Sequence, residues 1–195
     1  MPPKVKITKE DILAAALALV REEGEGALNA RALAARLECS TQPIFCHYTS
    51  MEALREAVLH QGYQFYYQEL ERAMAEGKYP AYKASGMLYI AFAVREPRLF
   101  QWLFMRNRTA SEQRSGFPSA DDGVLSALMQ AAGLTREAAE RFHFAMWMWV
   151  HGVAASVAGG FLAYDEEAIS AHLSDVYFGL RARYQEKGAS DEKQH

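Results

Sequence analysis

Apolar residues in this chain recur at helical spacing in one segment after another, and no run alternates strictly between apolar and polar residues with turn residues at its ends. Side chains three and four apart share one face of a helix, whereas a half-buried strand needs every second residue inside. The chain is therefore expected to be all-α, with no sheet. Its 195 residues suffice for one domain or two small ones. Half of them are hydrophobic and 23% are charged, a globular composition that excludes disorder throughout. Two cysteines exclude a disulfide scaffold and fit a reducing compartment, so a cytoplasmic location is expected. With 21 Lys and Arg against 24 Asp and Glu the net charge is −3, so any nucleic-acid contact must come from a local patch or from geometry.

Two stretches could be mistaken for membrane or targeting segments. The start, MPPKVKITKEDILAAALALV, is basic and then apolar, but Glu10 and Asp11 head the apolar part. Ile12, Leu13, Ala16, Leu17 and Val20 fall on one helical face, which marks a soluble amphipathic helix. Between Arg141 and Asp165 lie 23 residues without Asp, Glu, Lys or Arg, long enough to span a bilayer. That stretch holds His143, His151, Ser156 and three glycines and is rich in Ala, so a buried core helix is the better reading. No membrane partner is expected.

The helix signals divide the chain. Thr8 is placed to cap a first helix over about 9–23, which the Gly24-Glu25-Gly26 stretch stops. Asn29 caps a second, with Leu33, Ala34 and Leu37 inward, ending near Leu37. Ser40 is read as the cap of a short third helix with Pro43 in its first turn. Ser50 caps a long fourth helix over about 51–76. Further helices are expected near 80–95, 97–107, 120–133, 136–160 and 165–186, with 107–119 the most loop-like internal stretch. The expected organisation is a head over 1–50, a helical bundle over 51–187 and a disordered polar tail over 188–195.

Residues 28–48, LNARALAARLECSTQPIFCHY, outline a helix-turn-helix. In such a unit the first helix crosses the phosphate backbone, and the second is short enough to enter a major groove with its N-terminal residues at the base edges. The plain alternative is a helical hairpin that merely packs. Packing accounts for Ala32, Leu33, Leu37, Ile44 and Tyr48, but it gives no reason for Thr41, Gln42 and His47.

Thr8, Ile12-Leu13, Ala15-Ala16, Gly24, Leu28 to Ala34, Ser40, Ile44-Phe45-Cys46-His47-Tyr48 and Glu52-Ala53-Leu54 together resemble the TetR family of bacterial transcriptional repressors. Tyr89 to Ala93, Glu96-Pro97, Leu99-Phe100 and Leu103-Phe104-Met105 look like the opening of that family's ligand domain. Trp147 with His151-Gly152 looks like its Trp-His-Gly subtype. The resemblance implies a three-helix DNA-binding head and a C-terminal bundle for ligand binding and dimerisation. The implied partners are a palindromic double-stranded DNA operator, a second copy of the chain, and a small-molecule effector. It places base reading on Thr41, Gln42, Pro43 and His47, and phosphate contacts on Asn29, Arg31, Phe45, Tyr48 and Met51.

Several residues depart from the family pattern. Glu38 stands where the turn glycine is usual, Phe45 lacks the frequent aromatic hydroxyl, and Met51 replaces a lysine. Residues 1–60 carry seven Lys and Arg against eight Asp and Glu, a net of −1. DNA affinity is therefore expected to lean on Lys4, Lys6, Lys9, Arg31 and Arg36, with a shallow salt dependence.

Aromatic and methionine side chains concentrate after residue 88. Most suit an ordinary core. An effector pocket is expected among Phe92, Trp102, Met105, Met146, Trp147 and His151, since large rings and soft sulfur fit an apolar or aromatic ligand. Phe144, Met148, Ala155 and Phe161, then Ile169, Leu173, Val176, Tyr177 and Leu180, offer an apolar face for a dimer. His143 and His151 read as hydrogen-bonded core histidines, because no third ligand stands at a metal-like spacing. Cys39 and Cys46 flank the third helix, and a redox role competes there with inert burial. No nucleophile elbow, phosphate-cradling loop or His-Glu-x-x-His is present, so neither an enzyme nor a cofactor is expected. The remaining alternative is an all-helical small-molecule-binding protein with a degenerate head.

Overall fold

The computed structural model describes residues 7–108 and 121–191, with side chains to Tyr184. Among the described residues every regular element is helical, and no strand occurs. The helices are α1 (Lys9–Glu23), α2 (Ala30–Arg36), α3 (Gln42–His47), α4 (Met51–Glu76), α5 (Ala81–Arg95), α6 (Pro97–Phe104), α7 (Asp122–Ala132), α8 (Arg136–Ala158) and α9 (Glu166–Asp191), with a single 3-10 turn over Glu25–Ala27 after α1. The chain divides into two compact units. One is Met1–Gln68 with Glu96–Arg106, and the other is Glu69–Arg95 with Asn107–His195.

In the first unit, α1 begins at a capping box. The Thr8 hydroxyl accepts from the Asp11 amide at 3.1 Å, and the Asp11 carboxylate accepts from the Thr8 amide at 2.9 Å. Those bonds from Thr8 hold the Asp11 carboxyl below its usual pKa. The inward face of α1 is Ile12, Ala16, Leu19 and Val20, while Leu13 and Leu17 are only half-buried. By compactness this unit reaches past residue 50, and the reason is α6. That helix buries Leu99, Phe100 and Leu103. A Cβ on Gly62 of α4 would meet Leu103 Cδ2 at 3.0 Å and Leu99 Cδ1 at 3.2 Å, so any side chain there would make the two leucines shift by a few tenths of an ångström. The Tyr63 hydroxyl donates to the Leu103 carbonyl at 2.6 Å, and Phe104 meets Tyr66 edge-on at 5.1 Å. Glu96 pairs with Arg21 of α1, and the Arg98 guanidinium donates to the Glu22 carbonyl.

In the second unit, the starts of α7, α8 and α9 are each capped by a side chain. Asp121 accepts from the Gly123 amide at 2.8 Å, Thr135 from Ala138 at 3.4 Å and Asp165 from Ala168 at 3.1 Å. α7 ends on Gly133 at φ 66°, the left-handed exit that glycine adopts without strain. α5 is the central helix, with nine buried residues. α8 buries Ala139, Phe142, Met146, Val150 and Ala154, a stripe at three- and four-residue spacing. The uncharged stretch after Arg141 is thus one-sided, and no described helix is long and apolar enough to cross a membrane. α6 stops at Phe104, short of the expected residue 107, and α8 at Ala158. α9 runs to Asp191, four residues into the tail expected to be disordered, and 192–195 lie outside the described residues.

Candidate functional site

The turn between α2 and α3 fixes what α3 can present. The Cys39 amide donates to the Ala34 carbonyl at 2.9 Å and the Glu38 amide to Ala35 at 3.2 Å. This is the double closure of a Schellman turn, which needs a left-handed residue between. Glu38 takes that conformation at φ 51°, where a side chain is strained. Removing that strain is worth about 1–2 kcal/mol, against about 0.5–1 kcal/mol for the extra freedom of an unfolded glycine. Glu38→Gly is therefore expected to stabilise the chain by about 0.5–1 kcal/mol, read as a rise of a few degrees, about 1–4 °C, in a thermal melt.

The structure corrects the expected cap of α3. Thr41, not Ser40, is the N-cap residue; its own backbone is helical and its side chain makes no cap hydrogen bond. The helix has six residues, is anchored by fully buried Ile44, and has Pro43 in its first turn. Gln42, Cys46 and His47 are exposed, Thr41 and Pro43 are half-exposed, and Phe45 is 48% exposed. Thr41, Gln42 and His47 thus lie outside the core, as their lack of a packing reason suggested. The His47 Nε2 lies 3.2 Å from the Ile7 carbonyl.

The expected phosphate contacts divide. Arg31 is exposed on the first turn of α2. Asn29 is used inside the head: its Oδ1 accepts from the Arg31 and Ala32 amides at 3.1 and 3.0 Å, and its Nδ2 donates to the Ala27 carbonyl at 3.1 Å. Arg36 is held by Glu22 through two bonds of 2.5 and 2.7 Å. The hydrogen bonds between them are the main cause of two opposite shifts: Glu22 raises the pKa of Arg36, and Arg36 lowers that of Glu22. Arg55 binds Glu25 and, at 2.6 Å, the Leu28 carbonyl. Tyr48 is the correction here. It is 6% exposed, its hydroxyl is buried without a hydrogen-bond partner, and burial pushes its pKa up, so it faces inward rather than toward a phosphate. The Lys9 ammonium lies 5.3 Å from its ring centre. Met51 is half-buried at the start of α4. Lys4 and Lys6 lie outside the described residues. Cys39 is half-buried and Cys46 exposed, so the inert-burial reading fits neither fully.

Of the expected effector residues, Trp102 and Met105 belong to the first unit, half-buried and 45% exposed respectively. Phe92, Met146, Trp147 and His151 belong to the second. Phe92 and Met146 are core, at 0% and 3% exposure. Trp147 and His151 form a stack with ring centres 4.8 Å apart and planes within 16°, and Phe144 continues it at 6.3 Å from Trp147. The Tyr89 hydroxyl is 3.0 Å from the His151 Nδ1. A second pair repeats this, with the Tyr82 hydroxyl 3.1 Å from the His143 Nδ1. Tyr82 and Tyr89 are seven residues apart on α5, and His143 and His151 eight apart on α8, each about two turns. The pairs advance together, so α5 and α8 run in the same direction at this seam. The tyrosines were not among the expected residues, though their matching spacing was a signal. Both histidines are hydrogen-bonded, as expected of core histidines. Among the described residues no group of three or more His, Cys, Asp or Glu is placed to hold a metal.

Burial lowers the His143 pKa from 6.5; burial, then the nearby Arg108 charge, lowers that of His151. The unfolded chain therefore binds protons that the folded chain refuses. The stability contributed by the neutral pairs is complete above pH 6.5 and is lost as pH falls through each lowered folded value. Urea midpoints are expected to be flat above about pH 6.5 and to fall toward pH 5, and His143→Gln is expected to flatten that fall. A midpoint constant across this range would contradict it.

The expected dimer face also changes. Ile169 and Leu173 are 6% and 3% exposed and belong to the unit's own core. A Cβ on Gly86 would lie 3.2 Å from Leu173 Cδ2, so the two backbones are close. Met148 at 55%, Phe161 at 90%, Leu162 at 43% and Phe178 at 59% carry the exposed apolar surface. Gly152 and Gly179 have open space where a Cβ would stand.

A comparison with curated proteins gives no match. Residues 82–177, just under half of the chain, match the family described as the tetracyclin repressor-like C-terminal domain. The matched stretch opens on Tyr82 of the first Tyr–His pair, takes in the second pair and Trp147, and closes at Tyr177 in α9. This stretch of the protein is similar to the C-terminal domain of TetR-like proteins.

Proposed function

We propose that the protein is a TetR-type, ligand-responsive transcriptional regulator, non-enzymatic and acting in the cytoplasm as a repressor. It binds a palindromic DNA operator as a homodimer and is released by a small apolar or aromatic effector. One observation carries the reading. Gln42, flanked by Thr41 and His47, is exposed on a short helix set by a tight turn from a capped partner helix, in a chain that also holds a stretch similar to the C-terminal domain of TetR-like proteins. Gln42 can meet an adenine edge with two hydrogen bonds, and Arg31 can meet a phosphate.

The exposed Met148, Phe161, Leu162 and Phe178 support self-association through the C-terminal domain, with Gly152 and Gly179 permitting close helix approach. A two-fold pair sets two heads on one operator. Trp147, His151 and Gly152 fit the Trp-His-Gly subtype, and the stacked Trp147–His151 rings favour a flat effector. Such a ligand acts by preferring a conformer whose heads no longer match successive major grooves, roughly 34–36 Å apart.

The rival reading, a helical ligand-binding protein with a degenerate head, draws on the acidic balance and on Arg36 and Arg55 being held by Glu22 and Glu25. Selection from a library of random duplexes separates the two. The regulator is expected to retain a palindromic subset, to sediment as a dimer at micromolar concentration, and to lose binding uniformly across sequences on Arg31→Ala. No enrichment, or a monomer, favours the rival.

A further inference from the structure

Two buried side chains set how α3 faces. Ile44 and Tyr48, four residues apart, are 0% and 6% exposed, so the opposite side of the helix is turned to solvent. At about 100° per residue, Gln42 and Cys46 point most nearly away from that pair, and Phe45 lies about 60° from Gln42 on one flank. All three are exposed. Phe45 is the odd member of this face. Its ring is 48% exposed, so it adds little to the core that Ile44 anchors. It also stands where the family resemblance puts a phosphate contact. A phenyl ring has no donor for a phosphate oxygen, and setting it there would strip water from a charge without replacing the lost bond. The major groove of a duplex does offer an apolar substituent, the 5-methyl group of thymine. Side chains three apart on a helix have Cβ atoms about 5–6 Å apart, and bases rise about 3.4 Å along each strand. Phe45 therefore reaches roughly one to two base pairs from whatever Gln42 meets.

We infer that Phe45 is a specificity-determining residue: its exposed ring packs on the 5-methyl group of a thymine in each operator half-site, roughly one to two base pairs from the adenine that Gln42 meets. The inference rests on the DNA-binding reading above and names part of the operator chemistry. Gln42 reads by hydrogen bonds, whereas Phe45 reads one methyl group. This contact takes the place of the phosphate contact that the resemblance implies at Phe45.

The test replaces each thymine of the selected operator in turn by deoxyuridine, symmetrically in both half-sites. Uracil keeps every hydrogen-bonding group and every phosphate, and lacks only the methyl. The full chain, Phe45→Ala and Phe45→Leu are compared. Packing one methyl group out of water is worth about 4-fold in binding per half-site, hence about 15-fold on the palindrome. The full chain is expected to lose about 15-fold at one symmetric pair of thymines. Phe45→Ala is expected to bind the thymine and uracil operators alike at that pair, while still rejecting substitution at the pair that Gln42 reads. Phe45→Leu, which keeps an apolar side chain, is expected to retain part of the dependence on the methyl. All three are expected to share one thermal midpoint, because the ring is exposed. A full chain that binds every uracil operator as tightly as the parent overturns the inference. So does a Phe45→Ala protein with undiminished dependence on the methyl, which assigns that contact to a neighbour such as Pro43. A full chain that retains no duplex at all sinks the DNA-binding reading, and this inference with it; one that selects an operator but ignores its thymine methyls sinks the inference alone.

Discussion

Gln42→Ala is expected to erase preference at one base pair of each operator half-site while leaving the fold intact. The side chain is exposed at the start of α3, so truncation opens no cavity and strands no buried partner. What it removes is the pairing of a side-chain amide with an adenine edge, worth about 1–3 kcal/mol of discrimination per head. That corresponds to roughly 5- to 150-fold per half-site. The measurement is binding to the selected operator and to variants with each base pair replaced in turn. The wild type is expected to reject substitution at the contacted pair and the variant to tolerate it, with equal thermal midpoints. Arg31→Ala makes the contrast, because a lost phosphate contact weakens all sequences alike and lowers the salt slope by about 1. A Gln42→Ala protein that still discriminates at every position removes Gln42 from the reading surface.

Phe142→Ala is expected to have the largest effect on stability. The ring is fully buried and is met edge-on by two residues of α9, Tyr177 at 5.5 Å and Tyr184 at 5.4 Å. Removing it forfeits both the transfer of the ring from water and the contacts of the cavity walls, about 3–5 kcal/mol in total. For a chain of this size the thermal midpoint is expected to fall by about 6–20 °C. Since Tyr177 also lies 6.1 Å from Tyr82, the loosened wall adjoins the first Tyr–His pair. Phe142→Leu retains more of the volume and is expected to cost clearly less. A drop of under about 1 kcal/mol for Phe142→Ala would mean that the site collapses without a cavity, against the packing described.

The sequence by itself determined the helices and most of their starts. The stripe of Phe142, Met146, Val150 and Ala154 and the caps at Thr8, Asn29 and Thr135 act within about one turn, so the residues that cause them are neighbours in the chain. The same locality exposed the helix-turn-helix, because Thr41, Gln42 and His47 had no apolar period to serve. Pairings across the fold were decided only by tertiary structure. Arg36 with Glu22, Arg55 with the Leu28 carbonyl, Tyr82 with His143 and His47 with Ile7 are separated by 14, 27, 61 and 40 residues. Periodicity tells which face of a helix turns inward but not which side chain stands opposite. That is why Tyr48 could be taken for a surface contact, Ile169 and Leu173 for a free face, and α6 for a part of the bundle rather than of the head's own core.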